Sequence, residues 1–250
     1  MMTDDARKIG SSPRGRAAAI GLDKKQVVAA AISQIDEKGL AAFSLRELAR
    51  ALGVSPAVIY WHVGGAKEDL FAEISASITG ALSDGLDADM PWDVRLRQVF
   101  LNYRKLVHRH PEVAPLLGAQ MQSNGVANLD WVETILSALQ DGGYRGDALR
   151  LAFNVLVGGL AGFVTMELAP APGSKRGSDS GSWQTLFAER IAQIDPQVYP
   201  LTSRALPDIS NRIFVLRWQN GVDVSYGDSF ELLLDLLIDG LRARAPADPI

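Results

Sequence analysis

From Ser44 to Gly65 the chain reads SLRELARALGVSPAVIYWHVGG, and no other stretch restricts the fold as much. Glu47 stands three residues after Ser44, the spacing of a capping box. In that motif a hydroxyl and a carboxylate each satisfy an amide left open at a helix start. Leu45, Leu48, Ala49 and Leu52 then recur at helical spacing, and Gly53 stops the run. Ser55 and Pro56 follow at once as cap and first-turn residue of another helix, which ends at Gly64-Gly65. Two short helices around Gly53-Val54-Ser55 make a helix-turn-helix by spacing alone.

A helix turns about 100° per residue, so the three adjacent rings Tyr60, Trp61 and His62 cannot all point inward. Upstream, Asp23 is placed to cap a first helix with Val27, Val28, Ala31, Ile32 and Ile35 on one face, closed at Gly39. Val54, Ile59 and Val63 can face the first two helices. That leaves Ala57, Tyr60, Trp61 and His62 toward the outside.

The rest of the chain also reads as helix. A fourth helix runs from about Ala66 into the Ser83 region, with Leu70, Phe71, Ile74, Ile78 and Leu82 on one side. It has no Ser, Thr, Asp or Asn cap, and Lys67 lies where the helix dipole disfavours a cation; a bound phosphate would resolve both. Further helices are expected from Pro91-Trp92 to about His108, over Glu112–Met121, around Leu129–Leu139, and from an Asp147 cap to about Leu168. Residues 169–182, APAPGSKRGSDSGS, read as a flexible loop. Trp183–Ile194 is expected to be helical, 195–228 irregular or locally helical, and FELLLDLLIDGLRAR a last helix capped by Ser229. There is no internal repeat and almost no strand pattern, so the predicted fold is all-α. It divides into a flexible basic arm (1–21), a head (22–67) and a body (68–250).

Composition narrows the function classes. The 250 residues, 47% hydrophobic and 22% charged, can bury a substantial core. Cysteine is absent, which excludes disulfides and thiolate metal sites. The N-terminus is polar without an apolar h-region, so the cytoplasm is the expected compartment. The uncharged run Leu151–Met166 falls short of the roughly 20 apolar residues of a membrane span and contains Asn154, so a buried helix is expected. Residues 1–67 hold ten Lys/Arg against six Asp/Glu, and the remainder fifteen against twenty-three. A basic head on an acidic body suits a polyanion at one end. No HExxH, glycine-rich phosphate loop or Ser/His/Asp constellation supports an enzyme or a cofactor. His108 and His110 sit two apart at a helix end, which points them away from each other, as surface residues rather than metal ligands. Gly158-Gly159 suits close helix packing.

Over residues 23–72, SLRELARALGVSPAVIYWHV followed by Lys67-Glu-Asp-Leu resembles the N-terminal domain of TetR-family transcriptional repressors. The Tyr-Trp-His-Val run is similar to that of the tetracycline repressors. Residues 92–118 and FELLLDLLIDGL are similar to the start of their ligand-binding domain and to their final dimer helix. There are two departures. His62 and Lys67 are five apart where the family has four. SASITGALSDG and EVAPLLGAQM hold no His, where tetracycline repressors place metal-linked His.

The resemblance implies a three-helix DNA-binding head, joined by a linking helix to a ligand-binding and dimerisation domain. It implies a homodimeric repressor on palindromic double-stranded operator DNA, released by a small-molecule effector. Ser44, Leu45 and Arg46 match the family's phosphate contacts, with Arg46 also placed to reach a base. Ser55 opens the recognition helix; Ala57 and Val58 are expected at thymine methyls, and Tyr60, Trp61 and His62 on the DNA backbone. Lys67 would clamp a phosphate. The plainer readings are core aromatics for Tyr60 and Trp61 and solvated charges for Arg46 and Lys67. Arg7, Lys8, Arg14 and Arg16 either follow a minor groove or form a solvated tail.

In the body, Phe100, Tyr103, Gln120, Met121, Trp131, Asn154, Phe163 and Trp183 are candidates to line an apolar effector cavity, or are ordinary core and surface. The expected effector is an uncharged or weakly charged, hydrophobic or aromatic molecule bound without metal. The Asp147–Leu168 and Ser229–Arg244 helices are expected to pair across a two-fold axis as a four-helix bundle. A helical small-molecule carrier with a vestigial head and an activator with the same head are the rival readings.

Overall fold

A computed structural model describes residues 21–87, 89–117, 129–169 and 180–245. The head opens with α1 (Lys24–Lys38). Asp23 accepts from the Gln26 amide at 2.7 Å while the Gln26 side chain accepts from the Asp23 amide at 2.9 Å, a complete reciprocal cap. Gly39 closes the helix at φ +83°, its amide 2.7 Å from the Ile35 carbonyl. After a 3-10 turn at Leu40–Ala42 comes α2 (Leu45–Ala51). Its expected capping box is half made: the Ser44 hydroxyl accepts from the Glu47 amide at 3.4 Å. The Glu47 carboxylate turns instead to Lys38 Nζ at 2.8 Å and Gln34 Nε2 at 3.2 Å. It therefore pins α2 to α1 rather than closing its own turn. α3 (Pro56–Val63) follows, with Pro56 at its first position. Ser55 stands at the cap but makes no side-chain bond there.

α4 (Lys67–Thr79) links head and body and ends four residues before the Ser83 expected from the periodicity. The body comprises α5 (Trp92–Arg109), a 3-10 turn at Pro111–Val113, α6 (Asp130–Asp141), α7 (Gly146–Leu168), α8 (Ser180–Ala192), α9 (Pro200–Ile209) and α10 (Gly227–Arg244). Asp147 and Ser229, expected as caps, lie inside α7 and α10. Both helices begin earlier, at Gly146 and Gly227. Of the expected loop 169–182, Ser180 already belongs to α8, and 170–179 lie outside the described residues. The expected helix Glu112–Met121 opens as a 3-10 turn, and 118–128 lie outside the described residues.

α1 packs against α2, α3, α4 and the Pro111–Val113 turn; α5 packs against α6, α7 and α10; and α7 packs against α6 and α10. One hydrophobic cluster runs from Val27, Ile35, Leu48 and Ile59 in the head, through Leu70, Ile74 and Ile78 of α4, to Leu96, Leu139, Leu156, Leu160 and Phe230 in the body. Burial on this scale is the dominant stabilising term.

Among the described residues α7 alone is long and apolar enough to cross a membrane by length and composition. One of its faces nevertheless lies in the core, through Ala152, Leu156, Leu160 and Val164. The expectation of a buried helix holds for that face only, since Leu151, Val155 and Met166 are exposed. At its end Glu167 is fully buried and held by the Arg104 guanidinium at 2.6 and 3.1 Å. His108 Nε2 lies 3.1 Å from the same carboxylate, close enough to pair but not aligned as a hydrogen bond. Burial pushes the Glu167 carboxyl up, but His108 and Arg104 outweigh it and hold it below its ordinary value. His108 is therefore a partner of a buried acid, and His110 pairs with Asp36 at 2.7 Å. Neither is the unattached surface residue that its spacing suggested.

Candidate DNA-facing helix and apolar cleft

α3 is eight residues long yet packs on α1, α2 and α4 together. Three neighbours bury a wide face, comprising Val58, Ile59 and Val63. Val58 is only 1% exposed, so it cannot meet a thymine methyl as the sequence reading expected. It is a core residue, one position outside the predicted inner stripe. Ala57 and Ser55 are exposed and stay available to a groove. Trp61 is 51% exposed, with its ring edge-on to His62 at 4.6 Å. Tyr60 and His62 are half-buried, and among the described residues His62 Nε2 is buried without a hydrogen-bond partner. The outward face of α3 is thus Ala57 and Trp61, with Tyr60 half-buried beside them. At the start of α2, Arg46 is exposed while Ser44 and Leu45 are half-buried.

The start of α4 is less bare than its sequence implied. Asp69 reaches back to accept from the Ala66 amide at 3.0 Å, so one open donor is satisfied within the chain. Lys67 Nζ stands over the Phe71 ring at 5.0 Å and the Phe43 ring at 5.6 Å. Those rings hold the ammonium at the start of α4. The basic arm with Arg7, Lys8, Arg14 and Arg16 lies outside the described residues.

At the other end of α4 lies a narrow, nearly closed apolar cleft, with a free volume of about 10 Å³. Thr79 and Leu82 form one wall, Val99, Phe100 and Tyr103 of α5 another, and Trp131, Ile135, Val157 and Ala161 the rest. Three of the sequence candidates, Phe100, Tyr103 and Trp131, are brought together here. Burial pushes the Tyr103 hydroxyl up to about 12, so this group stays neutral at any physiological pH. Trp131 stacks on Phe153, 6.3 Å between centroids. Phe163 is elsewhere, packed edge-on to Phe214 at 5.0 Å and Phe230 at 5.6 Å in an aromatic core. Asn154 is exposed on α7 and does not line this cleft. Gln120 and Met121 lie outside the described residues, and Trp183 falls on α8.

The wall residues missed in the sequence had a signal. Val99 and Tyr103, Trp131 and Ile135, and Val157 and Ala161 are all i, i+4 pairs. Among the described residues no group of three His, Cys, Asp or Glu is placed to hold a metal.

A helix-turn-helix whose third helix turns Trp61 outward, on a helical body with an apolar cleft, is the build of a helical regulator with a DNA-binding type of head. Residues 27–74 match the family model described as bacterial regulatory proteins, tetR family, and residues 86–245 match that described as tetracyclin repressor-like, C-terminal domain. The tetracycline repressor protein class D of Escherichia coli is 26% identical over 129 residues, 49% of this chain and 56% of that protein. The chain thus spans about half the length of the curated relatives it matches. A possible TetR family transcriptional regulator from Streptomyces coelicolor A3(2) superposes with a TM-score of 0.66 at 25% identity, over 89% of this chain and 100% of that one. The Streptomyces coelicolor TetR family protein ActR, solved with actinorhodin, superposes with a TM-score of 0.66 at 19% identity, over 90% and 98%. The chain belongs to the TetR family of bacterial regulatory proteins. It is a transcriptional regulator, not an enzyme.

Proposed function

We propose that the protein is a cytoplasmic, homodimeric repressor that binds a palindromic operator and is released by an uncharged or weakly charged apolar or aromatic molecule. One observation carries this reading: α4 touches both sites. Its first residue, Lys67, follows closely on the end of the recognition helix, and Thr79, at its other end, walls the cleft with Leu82 just beyond. A ligand that parts the cleft walls must displace Thr79 and Leu82 and so move α4. The head follows, and two heads then no longer match their half-sites. The largely apolar walls and the neutral Tyr103 favour an apolar guest, and no carboxylate or imidazole is among the described lining residues.

The dimer reading rests on exposed apolar surface. Leu151, Val155 and Met166 line the outer face of α7, and Leu232 and Leu236 that of α10; each is at least half exposed. Pairing both faces across a two-fold axis would cover them as a four-helix bundle. The names of relatives add support of a general kind. One is a tetracycline repressor, and another was solved with actinorhodin.

Selection of bound duplexes from a random pool tests the reading. The expected result is an inverted repeat with fixed half-site spacing. The neutral aromatic N-phenyl-1-naphthylamine should weaken binding to that duplex equally with and without EDTA, with a negative heat-capacity change on binding. A pool that yields no preferred sequence, or release that requires magnesium, would contradict it.

A further inference from the structure

We propose that His110 and Asp36 form a second joint between head and body, and that His110 is a positioning residue fixing the angle at which α3 is presented to DNA. The inference rests on the reading of α3 as the DNA-facing helix. α4 alone would attach the head by one helix and leave it free to twist. A second attachment lies far away in sequence. Nδ1 of His110, in the body, is 2.7 Å from Oδ2 of Asp36, on the last turn of α1. His110 closes α5, and its amide donates to the carbonyls of Leu106 and Val107 at 3.3 and 3.1 Å, which fixes the backbone that carries the ring.

The surroundings make this a built contact. Val113, in the turn that follows, is fully buried, and this turn packs on α1. Gly39, at the end of α1, lies so close that a Cβ there would stand 3.0 Å from Oε2 of Glu112. Its φ of +83° is costly for any other residue, so the conformation calls for glycine. Among the described residues Asp36 Oδ1 is buried without a hydrogen-bond partner, so losing His110 would strand a partly buried carboxylate.

The joint also has a route to the cleft. α5 contributes Val99, Phe100 and Tyr103 to the cleft walls and ends at His110. Two helices therefore run from cleft to head: α4 to the end of α3, and α5 through His110 and Asp36 to α1. A head held at two points takes its angle from the positions of both.

The chain has no cysteine, so Lys25→Cys and Arg150→Cys, both at exposed positions, place one spin label on the head and one on the body. Dilution with unlabelled protein isolates distances within one chain. The expected result is a single narrow head-to-body distance in the otherwise unchanged protein. Asp36→Ala and His110→Ala should each broaden or shift it, the double variant no further, and His110→Asn, which keeps a donor at the Nδ1 position, should restore it. Affinity for the selected duplex should fall roughly 3- to 30-fold in both alanine variants and recover in His110→Asn. An unchanged distance in His110→Ala overturns the joint. A His110→Asn variant as broad as His110→Ala overturns the hydrogen bond as its basis. A shifted distance with unchanged duplex affinity overturns the positioning role. If the parent protein selects no duplex, the operator reading fails while the distances still decide the joint.

Discussion

Tyr60 has two duties to tell apart: it is half-buried in the head, and under the proposed function its hydroxyl bonds a DNA phosphate. Tyr60→Phe separates them. The core loses nothing, so the melting temperature should hold. Loss of one hydrogen bond to a phosphate should cost about 1.5–3 kcal/mol of duplex affinity. Equal affinity in a fluorescence titration would remove the hydroxyl from the interface. Glu167 makes a different kind of prediction. Its folded pKa is depressed below the ordinary 4.5, so its contribution to stability is complete above that value and is lost as pH falls through the lower folded one. Glu167→Gln should flatten the acid limb of stability against pH, read by thermal melts between about pH 3 and 6. An unchanged acid limb would show that the Arg104 and His108 contacts carry no linkage. At this scale the sequence was legible where period alone decides, as for Ile59 and Val63. It misplaced Val58 because a period gives the centre of a buried face, not its width. The pairs Asp36–His110 and Glu167–Arg104 were illegible, because partners 74 and 63 residues apart share no local signal.

Helix starts and stops were legible from caps wherever the cap was local. Asp23 and Gly39 bound α1 as expected. Glu47 failed its expected role because Lys38 and Gln34 on a neighbouring helix competed for it. α10 began before Ser229 because tertiary packing of Phe230 and Tyr226 outweighs a single serine cap worth about 1 kcal/mol. The same two long helices carry the assembly prediction. Leu232 and Leu236 are one helical turn apart and both exposed on α10. Leu236→Glu should leave the fold of the single chain intact, because the side chain touches solvent. It should convert a dimer to a monomer in light scattering at micromolar concentration. A parent protein that is already monomeric would show that these faces are not paired.

For the molecule as a whole, the fold class and the head were readable from spacing and caps, whereas the cleft was readable only in part. Phe100, Tyr103 and Trp131 were named and do meet; Asn154 and Phe163 were named and do not, since the rotation of α7 is set by what packs on it. The central claim is sequence-specific binding by a two-headed, ligand-responsive protein, and the salt dependence of duplex affinity tests it most directly. Affinities for the selected duplex and for a scrambled one should be measured from 50 to 200 mM salt. The account predicts a steep fall with salt for both, as phosphate contacts release counterions, together with a preference for the selected duplex of at least about 10³-fold. Equal affinity for the two duplexes, at any salt, would contradict it.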